Sequence, residues 1–132
     1  MTNADIAEKW MIKAMGDLLA AQRLYSFFHP KQLDISCYHC QQAAEKALKA
    51  VLVYREAVEE VPYTHDLVVL LDCCIPLDDN FVNMRTDCIG LTPYATQTRY
   101  PNNREFTEEE TASALRKAER IVNFCVSVIT PA

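Results

Sequence analysis

A set of polar residues stands out from an otherwise ordinary composition: Asp17, the row His39, Gln42, Glu45, Lys46 and Lys49, the pair His65-Asp66, and the pair Arg99-Tyr100. Their types suit recognition of an anion. Ammonium groups three residues apart sit one turn apart on a helix, and an arginine fork takes two oxygens at once. The plainer reading is that Lys and Gln on a helix form its solvated face, with Glu45 and Lys49 as a local i,i+4 pair. No phosphate-cradling glycine loop, HExxH zinc motif or GxSxG elbow occurs, so the common enzyme signatures are absent. Cys37 and Cys40 form a CxxC pair, but within a helical pattern and without a second pair at zinc-site spacing. They are read as small core residues, as are the other four cysteines, and no metal site is expected.

The elements that must position these residues are helices. Two glycines in 132 residues, with prolines at 30, 62, 76, 93 and 101 between apolar periodic stretches, favour helices over hairpins. The first helix is predicted from a cap at Asn3 or Asp5 to about Phe28, with Ile6, Trp10, Ala14, Ala21, Leu24 and Phe28 on one face. Asp17 falls within that stripe. It needs a specific partner if it is buried, Lys46 or Arg99 then pairing with it to fix the register of the bundle, and is a rim residue otherwise. The second helix is predicted from a cap at Asp34 over about Ile35 to Tyr54. Its apolar face carries Cys37, Cys40, Ala44, Ala47, Leu48, Val51 and Leu52, its polar face His39, Gln42, Lys46 and Lys49. Cys40, Ala43, Ala47 and Ala50 make a row of small side chains that admits a neighbouring helix closely.

After an acidic loop over residues 55–62, Thr64 is the predicted cap of a third helix over His65–Ile75, with Asp66 near its positive end. A less regular fourth helix is predicted over Asp79–Leu91, and residues 94–104 read as a polar, aromatic connection. Thr107 and Glu110 make a capping box for a last helix whose stripe is Thr111, Leu115, Ala118, Val122, Cys125 and Ile129. The expected fold class is all-α: one domain over 1–132, an antiparallel up-and-down four-helix bundle with an additional short helix. Thirteen Lys and Arg against eighteen Asp and Glu give a net charge of −5, so no global field draws nucleic acid or an anionic membrane. The first residues show no signal-peptide pattern and no stretch is long enough to span a bilayer, so a cytoplasmic location is expected.

The run Tyr38-His-Cys-Gln-Gln-Ala-Ala-Glu-Lys-Ala-Leu-Lys-Ala50, followed by Thr64-His-Asp-Leu67 and Thr98-Arg-Tyr-Pro101, resembles the HEPN family in wording and order, with Trp10, Ala14, Asp17 and Leu18 extending the likeness into the first helix. The resemblance implies a homodimeric helical bundle that binds a nucleotide of ATP or GTP type, needs no cofactor, and partners a nucleotidyltransferase. Asp17, Gln42, Lys46, Lys49, His65, Arg99 and Tyr100 are then the nucleotide-binding candidates. Lys46 and Lys49 would face a triphosphate, Arg99 would clamp it, Tyr94 or Tyr100 would stack on the base, and His65 would meet a phosphate at a helix N-terminus. The ribonuclease branches of the family carry Arg, four to six residues, then His. Here Arg23 and His29 match that spacing, at the end of the first helix and away from the family's usual place. A metal-independent RNase or toxin of a toxin–antitoxin pair is therefore the alternative, and a purely structural dimerisation module a second one. Long RNA is disfavoured as a ligand by the acidic net charge.

Overall fold

The computed structural model describes residues 1–55, 63–98, 101 and 104–130. Its elements are α1 (Asn3–Ser26), α2 (Leu33–Tyr54), α3 (Leu67–Cys74), two 3₁₀ segments (Ile75–Leu77 and Asp79–Met84), α4 (Arg85–Leu91), the single turn α5 (Tyr94–Gln97) and α6 (Glu108–Ile129). All secondary structure among the described residues is helical, as the composition implied. No helix there is long and apolar enough to cross a membrane.

Local chemistry sets each boundary. Thr2, one residue ahead of Asn3 and three ahead of Asp5, starts α1 through a reciprocal box: its hydroxyl accepts from the Asp5 N–H at 3.1 Å and its own N–H donates to the Asp5 carboxylate at 2.9 Å. The helix ends at Ser26, short of Phe28, which is exposed. α2 begins before Asp34. Gln32 holds the N-cap position without a side-chain bond, and Asp34 lies in the first turn, where its charge meets the positive end of the helix. Asp66, and not Thr64, caps α3 by accepting from the Val68 N–H at 2.9 Å, while the Thr64 hydroxyl accepts from the Asp66 N–H. The predicted fourth helix opens as 3₁₀ and becomes α at Arg85. At α6 half of the predicted box is present. Thr107 accepts from the Glu110 N–H, while the Glu110 carboxylate turns to Tyr94 and Arg104.

α2 is the central element. Thirteen of its 22 residues are buried, and the row Cys40, Ala43, Ala47 and Ala50 is wholly inaccessible. Across it, α1 contributes Ala7, Met11, Ala14 and Ala21. Small side chains on both helices let the backbones approach, and the Ser36 hydroxyl donates to the Ala21 carbonyl at 2.8 Å. The buried stripe of α1 is thus turned from the predicted one: Ala14 and Ala21 are shared, Ile6, Trp10 and Leu24 are half-buried, and Phe28 is outside. Opposite, Leu48, Val51 and Leu52 pack with Leu67, Leu70, Phe81, Leu91, Ile121 and Val122. Gln22 of α1 donates to Glu119 of α6 at 3.2 Å, and Asp87 of α4 takes a bidentate bond from Arg120 of α6 at 2.8 and 2.9 Å.

All six cysteines are thiols outside any disulfide, five of them buried. Burial pushes the Cys74 and Cys88 thiols up to about 12, and raises those of Cys37, Cys40 and Cys125 as well. Cys73 is only partly buried. Titration of the native protein with an aromatic disulfide reagent at mild alkaline pH should therefore modify Cys73 first. The other five should follow at least about tenfold more slowly, until denaturant exposes them.

Candidate functional site

α1 and α2 run antiparallel, so the middle of one faces the middle of the other and Asp17 comes to lie beside the first half of α2. Its two oxygens divide their work. Oδ1 lies 2.8 Å from Nδ1 of His39, and Oδ2 accepts from the Lys46 ammonium at 2.5 Å. His39 and Lys46 are seven residues apart, two turns of one helix face, and Asp17 sits between them. With 13% of its side-chain surface accessible, Asp17 is a largely buried carboxylate with specific partners.

A second unit forms around Glu45, almost inaccessible at 4%. It accepts from Lys49 at 3.1 Å and from Gln41 at 3.2 Å, and its Oε1 lies 2.8 Å from Nδ1 of His65. Gln41 also donates to the His65 backbone carbonyl at 3.0 Å, and Gln42 donates to the Gln41 side-chain oxygen at 2.7 Å. Residues 41, 45 and 49 form an i,i+4 row on α2, and His65, just before the cap of α3, is fastened to that row by both its ring and its backbone. Lys49 reaches across to α1, its ammonium 5.7 Å from the Trp10 ring centroid.

Burial alone would push the Glu45 carboxyl up. Hydrogen bonds from His65, Lys49 and Gln41 outweigh it and hold the group below its ordinary range. The ionised Glu45 carboxylate only accepts, so Nδ1 of His65 carries the proton, and Nε2 of a neutral ring is then the atom with the lone pair. Each unit thus presents a lysine with donors to spare and an imidazole oriented by its acid.

The structure therefore brings Asp17, Gln42, Lys46, Lys49 and His65 together on one polar face of α2, with His39, Glu45 and Gln41 added. Gln41 was missed on sequence; its signal was the 41-45-49 spacing. Arg99 and Tyr100 lie outside the described residues. Their flanking residues Thr98 and Pro101 line a cavity of about 350 Å³ with Lys31, Leu33, Asp34 and Arg104. From Asp34 to Lys46 is twelve residues, about 18 Å along a helix, so that cavity is separate from the lysines. Tyr94 is no stacking platform: it is buried, and its hydroxyl donates to Glu110 at 2.6 Å. His65 does not offer a helix N-terminus either, because α3 starts after Asp66 and Asp66 caps it. Arg23 lies over the Phe27 ring at the end of α1, and His29 is exposed in the connection to α2. Among the described residues no His, Cys, Asp and Glu side chains are grouped closely enough to hold a metal ion.

The lowered Glu45 value sets the sign of a pH effect. Its charge stabilises the fold fully above its ordinary value of 4.5, and that contribution drains as pH falls through the lowered value. Glu45→Gln should cost about 1–2 kcal/mol at neutral pH, and urea denaturation should show the gap to wild type closing as the pH is taken below about 4.

The HEPN domain family matches residues 7–129. The crystal structure of TT1696 from Thermus thermophilus superposes with a TM-score of 0.77 at 27% identity, over 92% of this chain and 97% of that one. ST0689, an archaeal HEPN homologue, superposes with a TM-score of 0.73 at 24% identity, over 94% and 98%. No curated protein matches. A family match spanning nearly the whole sequence, on a bundle of the same shape, places the chain in the HEPN domain family.

Proposed function

We propose that this HEPN chain is a non-catalytic nucleotide-binding module that works beside a nucleotidyltransferase. The observation that carries the reading is the pair Lys46 and Lys49, one turn apart, each held by a carboxylate at one of its donors. An ammonium has three donors. Asp17 and Glu45 fix the positions of both lysines before a ligand arrives, and the remaining N–H groups are left to meet phosphate oxygens, so little side-chain freedom is lost on binding. His65, half exposed and oriented by Glu45, supplies an acceptor at Nε2 for a ribose hydroxyl or a base N–H. The nucleotidyltransferase partner rests on the family resemblance, since such an enzyme handles the same class of ligand.

The ribonuclease reading has one observation in its favour, and it is not Arg23 and His29. A histidine backed by a carboxylate is the arrangement a general base needs, and two such pairs, Asp17–His39 and Glu45–His65, border the lysines. Binding and cleavage separate experimentally. In calorimetric titrations with ATP, GTP, CTP and UTP at least one should bind in the micromolar to sub-millimolar range. Lys46→Met/Lys49→Met should weaken it by about tenfold or more while circular dichroism shows the helices retained. No binding at millimolar nucleotide, or equal affinity in the double variant, would overturn the proposal. Degradation of a mixed RNA pool by wild type but not by His65→Ala would move the conclusion to cleavage.

A further inference from the structure

We propose that two copies of this chain pair through the outer face of α1, antiparallel, about a two-fold axis between Met15 and Gly16. The family resemblance implies a homodimer. The surface argued here depends on α1 alone, not on the nucleotide reading.

α1 is already committed to α2 and α6 on its inner side, yet its outer side is apolar too. Ile12, Met15 and Leu19 are 60%, 54% and 50% exposed, and their spacing of three and four stacks them along one row. A helix of one isolated bundle has polar residues there. Gly16 lies at the middle of the same row. A Cβ built on it would meet nothing within 4 Å, so nothing in this chain's own packing requires glycine at that position. Glycine inside a helix costs about 0.5–1 kcal/mol relative to alanine. A second helix crossing at Gly16 gives that cost a return, because the missing side chain lets the backbones approach.

The register follows from charge. In an antiparallel pair centred between residues 15 and 16, each residue meets the one whose number completes 31. Ile12 then opposes Leu19, Met15 opposes Gly16, Glu8 opposes Arg23 and Ala4 opposes Phe27, and the two-fold repeats every pair. The apolar residues fall in the centre, the glycine at the crossing, and opposite charges on both flanks. A parallel pairing would set Glu8 against Glu8 and Arg23 against Arg23, so charge selects the antiparallel one. The shape agrees. A groove of about 470 Å³ runs beside the row between α1 and the end of α6, lined by Ala4, Glu8, Met11, Ile12, Val126 and Ile129. Phe27, 73% exposed at the far end of the same row, is brought opposite Ala4 at its edge and supplies the aromatic side chain that fills it.

Light scattering and sedimentation at several concentrations test this. Wild type should show twice its 15.0 kDa mass. Gly16→Leu should drive it to monomer with its helicity intact, since the new side chain enters space empty in the single chain. Glu8→Arg and Arg23→Glu should each weaken the dimer about tenfold, two flank pairs being reversed at once. Combining them should restore it, which only this register explains. A wild type monomeric at about 100 μM overturns the homodimer itself. A dimer indifferent to Gly16→Leu, or one the combined charge reversal fails to restore, overturns the surface and leaves the dimer standing.

Discussion

A carboxylate taken out of water must be surrounded by donors, and in this protein that requirement falls on Glu45. Unpaired, it would be among the most expensive groups in the fold. Gln41, Lys49 and His65 meet it, and each is thereby fixed. His65 is held hardest, because Gln41 takes its backbone carbonyl while Glu45 takes its ring. The chain entering α3 is pinned against α2 at that point. Asp66 then caps α3 one residue later, and α3 lays Leu67, Leu70 and Leu71 into the core. The position of α3 thus follows from satisfying one buried charge.

Asp17 does the same for α1. The small residues shared by α1 and α2 let the helices come close but are poor at setting their longitudinal register, since one alanine resembles the next. A carboxylate that must reach both His39 and Lys46 is not interchangeable with its neighbours. The Asp17 ion pair and the Ser36–Ala21 hydrogen bond lie along the same seam and lock it at two places. The residues proposed to meet a ligand are therefore also register devices.

How much of this was legible in the sequence depended on how strongly each segment contrasted apolar with polar residues. α6, with alternating charge and a clean stripe, was read to within a residue or two of its ends. α2 was read correctly on its apolar face, where cysteines and alanines sit among leucines and valines. α1 was misphased because it carries apolar residues on more than one side: Ile6 and Trp10, Met11 and Ala14, and Ile12, Met15 and Leu19 each suggest a different inner face. Periodicity cannot choose among three stripes, and the choice came from α2, whose alanine row takes the stripe richest in small residues, Ala7, Ala14 and Ala21 with Met11 among them. Caps were misplaced by one to three residues wherever nearby residues could each cap, as at Thr2, Asn3 and Asp5 or at Thr64 and Asp66. Local chemistry offers both options, and the tertiary position of the preceding chain decides. The site residues were found as types. Of their pairings, Glu45 with Lys49 follows from local spacing and Asp17 with Lys46 is one of two cations the burial argument allows, whereas Asp17 with His39 and Glu45 with His65 are contacts between elements that no local spacing encodes.

The paired state of the lysines bears on what kind of anion the polar face would accept. With Asp17 and Glu45 inside the cluster, Lys46 and Lys49 carry little uncompensated charge, and the whole chain is acidic. Long-range attraction is weak under those conditions, so affinity has to come from short-range, directed hydrogen bonds. Long RNA gains much of its affinity from counterion release along a run of phosphates, and a neutralised patch on an acidic surface offers little of that. A mononucleotide is different. Its phosphates concentrate charge on a few oxygens within reach of donors one helical turn apart, and its base and ribose supply groups for an oriented imidazole. On the proposed reading, a neutral but well-ordered cluster would favour a compact ligand over a long one, through the same two carboxylates that hold α1 and α3 to α2.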